Sequence, residues 1–466
     1  MVSHLLRHLC CTLLFALATL FASAQAEQEK WYFGNKAGLD FSSGAPVPLL
    51  NGQMTALEGS ASISDQNGNL LFYSNGDTVW TSAHSPMPNG TGLSGHTSTT
   101  QSCIIVRKPG STTLFYLFTI DAQAGTDGFC YSEIDMTLNS GLGDVTAAKN
   151  VLLLSQSCEK LAAVEHANGT DIWVVAHNWN GNGFYAWLIS AAGVSTPVIS
   201  NAGTVIAASS TLNIETVGCM KISPEGDRLA VANFGDYEIQ LFNFDNTTGM
   251  VTNPVTVSSA YMSYGIEFSP SGNYLYAAQW NWGSNSIYQY DVNAANIAQS
   301  QTIVGTIAYP NQTAATLQRA PDCKIYMAII GSSFLSVIQD PDLGGVACAF
   351  VANGVALGGP LSQAGLPNFI AGPCSVKNPD AIHENTTEES FPVYPNPAGD
   401  VAFIDGRKVN SDFSISCFST LGSEVFTRNY SRNTLAEIDV SEFAPGVYFL
   451  YVESDEIAVR KTLVIR

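Results

Sequence analysis

Residues Cys219 to Asp245 read CMKISPEGDRLAVANFGDYEIQLFNFD. The apolar runs are short and β-rich. Pro224-Glu225-Gly226 supplies a tight turn between the first two, so the stretch reads strand, turn, strand, loop, strand. A three-stranded unit of this kind cannot bury its own faces. The pattern recurs upstream and downstream at intervals of roughly 40–60 residues, which calls for units packed on one another around a ring. The fold class expected is all-β, a β-propeller.

The first hairpin turn of each unit sets the register. The turn residues are Gly68, Gly110, Gly169, Gly226, Gly272 and Cys323, each followed within a few positions by an apolar strand. Seven positions before them stand Ala61, Cys103, Ala162, Cys219, Gly265 and Thr316, all small. Innermost propeller strands converge on a narrow channel, so a recurrent small residue has a steric cause. Six turns imply at least six blades. Lys30 to Phe41 reads as a strand pair that completes the last blade, and Val346 to Ile370 is long enough to pair with it. Seven blades are expected, within a range of six to eight, over residues 30–374.

Of the 466 residues only 12% are charged, against the usual quarter, while 46% are hydrophobic. The net charge is −20 and the pI near 4.5, which argues against nucleic acid and against anionic membrane surfaces as partners. Arg7, the apolar run Leu9 to Phe21 and Ala22-Ser23-Ala24 have the form of a cleaved signal peptide, residues 1–24. No later stretch is long and apolar enough for a transmembrane helix.

Residues 375–390, SVKNPDAIHENTTEES, are polar and acidic and read as a linker. Beyond them, strands resume over residues 391–466 with the alternation of a small β-sandwich. Tyr394-Pro395-Asn396-Pro397 opens this region, Ala444-Pro445-Gly446-Val447-Tyr448-Phe449 leads into its penultimate strand, and Lys461 lies in the last. Together these resemble the type A C-terminal sorting domain of the type IX secretion system of Gram-negative bacteria. The resemblance implies an Ig-like sandwich that directs a folded cargo across the outer membrane and is usually then cleaved. The type IX secretion machinery would be the partner, and the cargo would be secreted or held at the cell surface. The stretches FGNKAGLDF, EGSASISDQNGNLLFYSNGDTVW, LQRAPDCKIYMAIIG and GLPNFI resemble surface propellers carried by that system, and the SPEG and SPSG turns resemble WD-repeat-like and lactonase-like propellers.

Catalytic motifs are missing from the sequence. The histidines beyond the leader (His84, His96, His166, His177 and His383) fit no metal pattern, and no G-x-S-x-G or phosphate-binding loop occurs. No metal and no cofactor are expected. Gly181-Asn182-Gly183 joins strands and precedes no helix, and Asp65-Gln66-Asn67-Gly68-Asn69 reads as an Asx turn rather than a calcium loop. If the protein were an enzyme, Glu58, Glu165, Glu215 and Glu267, in or before inner strands, would be the carboxylates to test. Of the cysteines, Cys103, Cys219 and Cys417 read as unpaired, while Cys130–Cys158 and Cys323–Cys348 are candidate pairs in an oxidising setting. Cys323 replaces the glycine expected at its turn, which marks that turn as tighter or cross-linked.

The aromatic loops HNWNGNGFYAW and WNWGSN place His177 with Trp280, and Trp179 with Trp282, at equivalent positions of two blades. These four are the candidate ligand-binding residues, because tryptophan beside asparagine suits stacking on a sugar or peptide. The functional expectation is an exported propeller that binds an extracellular glycan or protein. The alternatives are a hydrolase or lyase acting on polysaccharide or lactone, and a structural adhesion component.

Overall fold

Five hairpin glycines decide the local geometry of the first unit. Gly68, Gly110, Gly169, Gly226 and Gly272 have φ between 70° and 79°, the left-handed region where a side chain is strained. Cys323 takes the same conformation, φ 61°, in the sixth hairpin. The computed structural model describes residues 26–208, 212–281, 285–307, 313–374, 391–407, 411–419, 424–441, 443–454 and 458–465. The expected signal peptide and linker therefore lie outside the described residues, as does Trp282. The chain divides into two compact units, 1–376 and 377–466.

Seven antiparallel sheets are described in the first unit, and they are taken here as blades 1 to 7 in chain order. Blade 1 is the short sheet Lys30–Phe33, Ala37–Asp40 and Val47–Pro48. The inner strands of the other six are Ala61–Ser64, Cys103–Arg107, Ser157–Glu165, Met220–Ile222, Ser263–Phe268 and Ala314–Arg319. Each of these pairs through its hairpin with the next strand in sequence, and successive strands step outward. The expectation of a propeller of about seven blades is met. Apolar side chains fill the space between blades rather than one central core. Ala162 and Val164 of blade 4 pack with Met220, Ile222 and Leu229 of blade 5, and Trp31, Phe33 and Leu39 of blade 1 pack with Tyr326 and Val337 of blade 7.

The recurrent small residues are buried. Their crowding comes from the neighbouring inner strand. A Cβ on Gly265 would lie 2.3 Å from the Ala315 carbonyl oxygen and 2.7 Å from Thr316 Cα in the next blade.

The inner place of blade 1 is taken by residues 361–371. Leu361 bridges Asn35 in antiparallel fashion, the Gln28 amide donates to the Ile370 carbonyl (3.2 Å), and Phe369 packs on Trp31 (5.7 Å). Pro367 lies parallel to Ser60 of blade 2, and Ala371 lies parallel to Val164 of blade 4. The segment thus runs with the inner strands and spans the ring. It bonds to blade 7 through Thr316 N–H to Ala364 O (3.1 Å), and to blade 4 through Ala371 N–H to Ala163 O (2.7 Å). The ring is closed by segments from both ends of the unit, the blade 1 sheet and the isolated bridges of residues 361–371.

Polar side chains stitch the inner strands together. Gln101 Oε1 accepts from Leu161 N–H (3.1 Å) and Met220 N–H (2.7 Å), which joins blades 3, 4 and 5. Lys221 pairs with Glu267 (3.0 Å) and donates to Gln318 Oε1 (2.5 Å), which joins blades 5, 6 and 7. Between Gln101, Lys221, Gln318 and Asn368 remains a cavity of about 10 Å³, room for no more than about one water.

Cysteine pairing differs from the sequence expectation. Among the described residues the disulfide is Cys323–Cys374, while Cys130, Cys158 and Cys348 are free and buried, as are Cys103, Cys219 and Cys417. The Cys130–Cys158 and Cys323–Cys348 pairs are therefore corrected. Spacing along the chain does not reveal that residue 374 returns to the blade 7 hairpin after the intervening segment has crossed the channel.

Two sheets are described in the second unit. Val393–Tyr394, Val401–Asp405 and Leu435–Asp439 form one, and Glu424–Tyr430, Phe413–Ser419, Gly446–Ser454 and Ala458–Ile465 the other. Ile404, Ile415, Cys417, Ile438, Leu450 and Leu463 share its core. Asn396 Oδ1 accepts from Val464 N–H (2.9 Å), tying the opening motif to the last strand, and the Tyr448 hydroxyl donates to the Ala444 carbonyl (3.0 Å). Tyr394, Pro395, Pro397 and Gly446 are exposed, and Lys461 is half-buried.

The candidate site at the channel mouth

Ten positions before the turn residues Gly68, Gly110, Gly169 and Gly226 stand Glu58, Thr100, Glu159 and Thr216. This register puts all four where the inner strands begin, at the mouth of the channel opposite the hairpin turns. Glu159 is buried. Its carboxylate accepts from Thr100 N–H (2.9 Å), Thr100 Oγ1 (2.8 Å) and Gln123 N–H (2.9 Å). Lys160, also buried, donates to the carbonyls of Thr216 (2.8 Å) and Val217 (2.9 Å).

Glu58 accepts from Tyr264 OH (2.6 Å) and Ser98 Oγ (3.0 Å). Burial, then the charge of Glu159, push its carboxyl up to about 8, against the hydrogen bonds from Tyr264, Ser98 and Thr100. Burial raises Glu159 as well, opposed by its Thr100 and Gln123 donors and by Lys160. Two carboxylates this close do not both ionise readily. Glu159 has two backbone N–H donors and the neighbouring Lys160 charge, which Glu58 lacks, so Glu58 holds the proton near neutral pH.

Aromatic rings flank the carboxyl. Tyr264 packs on Trp280 (4.8 Å) and edge-on to Phe234 (6.0 Å), and Phe234 meets Trp280 at 5.7 Å. Next to Phe234 and Gly235, Asp236 has its carboxyl raised by burial and by Glu215. A Cβ on Gly235 would touch the Glu215 backbone at 2.7 Å, so these loops meet closely.

The sequence candidates separate on this frame. Glu58 and Glu215 are at the mouth. Glu165 is exposed at the far end of its inner strand, beside the hairpin turn, and Glu267 lies inside the channel wall, paired with Lys221. His177 is buried, edge-on to Phe184 at 4.7 Å, with Nδ1 against the Asn178 carbonyl at 2.8 Å; burial pushes its imidazole down to about 3. Trp179 is buried with Cys158 and Ile206. Trp280 is half-buried. His177 lies on the strand Ile172–Asn178 and Trp179 directly follows it, and both side chains are taken up by packing within the blade. Glu159 went unnoticed in the sequence, although counting back ten positions rather than seven from the hairpin turns finds it.

The fold and the mouth define the first unit as a β-propeller with a filled channel and a polar, aromatic rim. The second unit places the chain among exported proteins: residues 392–466 match the family described as secretion system C-terminal sorting domain, and the chain carries a type IX secretion sorting domain at its C-terminus. That domain marks the protein for the cell surface or for secretion. No helix among the described residues is long and apolar enough to cross a membrane. No curated protein matches the chain.

Solved structures with a similar fold include a protein from Lactobacillus plantarum, at 11% identity over 88% of this chain and 100% of that one, TM-score 0.41. Another is the periplasmic gluconolactonase of Pseudomonas aeruginosa, at 13% identity over 73% of this chain and 89% of that one, TM-score 0.38.

Proposed function

We propose that the protein is an exported binding module that holds an extracellular glycan or protein at the mouth of its propeller. In this reading residues 1–24 are removed, residues 30–374 bind, residues 375–390 link, and residues 391–466 engage the type IX secretion machinery through the Tyr394–Pro397 motif, Gly446, Tyr448 and Lys461. The supporting observation is the half-buried Trp280, set against Tyr264 and Phe234 beside the Glu58 carboxyl. An aromatic face next to a hydrogen-bonding carboxyl suits the apolar face and polar edge of a sugar or peptide. The test is a glycan and peptide array probed with the wild type and with Trp280→Ala/Trp282→Ala. Loss of signal in a variant with unchanged thermal stability supports the reading, and equal signal refutes it.

One observation favours a second reading, a hydrolase or lyase acting on polysaccharide or lactone. A carboxyl still protonated near neutral pH is what a general acid requires. Turnover on a polysaccharide and lactone panel, abolished by Glu58→Gln, would select it. Export has its own test: deletion of residues 391–466 leaves the propeller in the periplasm, and normal surface delivery without them would refute the sorting role.

A further inference from the structure

Residues 361–371 hold their place with main-chain bonds scattered over several partners rather than with one ladder. Two join Asn35 and Leu361, three reach Thr316, Gly331 and Ser332 of blade 7, two reach Leu57 and Ser60 at the entry to blade 2, and one reaches Ala163 of blade 4. Outer strands of the blades, by contrast, run in continuous ladders: Glu238–Asp245 pairs along its length with Arg228–Asn233. Past the crossing, the Arg319 guanidinium donates to the Gly372 carbonyl (2.6 Å), and Cys374 then joins Cys323 in the blade 7 hairpin. Cys323 stands where five other hairpins carry glycine, and it accepts the left-handed conformation those glycines adopt freely. The same hairpin could be built without strain by glycine, so the cross-link itself accounts for a cysteine at this position.

We propose that Cys323–Cys374 is a redox latch that closes the propeller ring, and that the ring with reduced thiols is open at blade 1. A dithiol supplies two electrons and two protons, leaves thiols at both cysteines and departs as its own cyclic disulfide. The channel segment is then tethered only by these scattered bonds and by its side-chain packing. When it leaves, Lys30–Phe33 loses its inner neighbour, and the channel groups Gln101, Lys221, Glu267 and Gln318 meet water. The latch also times closure, because the cytoplasm keeps thiols reduced and export delivers them to an oxidising compartment. The ring therefore locks only outside the cytoplasm.

Hydrogen exchange on the purified full chain, oxidised and then treated with dithiothreitol, tests the latch. Reduction is expected to speed exchange in residues 30–40 and 361–371 together, by up to about a thousandfold, while the inner strands of blades 3 to 5 keep their protection. The variant Cys323→Gly/Cys374→Ser relieves the strained turn and removes the latch. It is expected to show the same local opening without reductant and to be indifferent to it. Unchanged exchange at residues 361–371 in either experiment would overturn the proposal, and so would a rise spread evenly over all seven blades.

Discussion

Replacing Glu58 by glutamine tests the electrostatics of the mouth directly. The amide keeps the size of the side chain and can still accept from Tyr264 and Ser98, but it cannot ionise. In the unfolded chain the Glu58 carboxyl loses its proton near 4.5, and in the folded protein near 8. Between these values the folded state binds the extra proton, so stability is full below about pH 4.5, falls as the pH rises, and levels off above about pH 8. At about 1.4 kcal/mol per pH unit, the span corresponds to a ceiling of about 4–5 kcal/mol. Part of that belongs to the repulsion shared with Glu159, so a gain of about 2–4 kcal/mol is expected for Glu58→Gln at pH 9, and little at pH 4. The assay is urea unfolding followed by tryptophan fluorescence from pH 4 to 9 on both proteins. The other titrating groups are common to the two, so the difference curve reports Glu58 together with its coupling to Glu159. Parallel stability curves over the whole range would refute the assignment of a proton to this carboxyl.

Three further outcomes follow from the packing. His177, depressed to about 3, leaves the unfolded state with the greater proton affinity, so stability is lost as the pH falls from about 6.5 towards 3; His177→Gln should flatten that acid limb, as thermal unfolding at pH 4 and pH 7 would show. Gly265→Ala drives a methyl group into the Ala315 carbonyl and Thr316, and should cost about 1–3 kcal/mol in urea unfolding, whereas Gly169→Ala meets no atom within 4 Å and should cost only its left-handed strain of about 1 kcal/mol. Removing Cys323–Cys374, whose ends are 51 residues apart, should cost about 4 kcal/mol on the loop-closure estimate, read as a lower unfolding midpoint for Cys323→Gly/Cys374→Ser.

The repeat at Cys219–Asp245 was legible because hairpin chemistry is local. A glycine is needed wherever φ is positive, and β-rich runs on either side leave no other pairing nearby. The same locality explains why Asp65 was readable as a turn residue: its carboxylate accepts from the Asn69 side-chain amide (3.0 Å), Asn69 N–H (2.9 Å) and Asn67 N–H (2.8 Å), and these bonds lower its pKa. The two tryptophan loops show where such reasoning stops. His177 and Trp280 are equivalent in register, yet one is buried and the other half-exposed: His177 packs on Cys158 and Phe184 within its own blade, whereas Trp280 packs on Tyr264 and on Phe234 of the neighbouring blade. Glu58 and Glu159 are 101 positions apart, and their coupling exists only once blades 2 and 4 stand around one axis.

Taken alone, the sequence determined the repeat, its register, the all-β class and the sorting domain, since each rests on residues close together in the chain. Tertiary structure decided which cysteines pair, which strand fills the channel and which carboxyl holds a proton. Those outcomes depend on burial and on contacts between residues far apart in sequence, and closure of the ring is what brings them together.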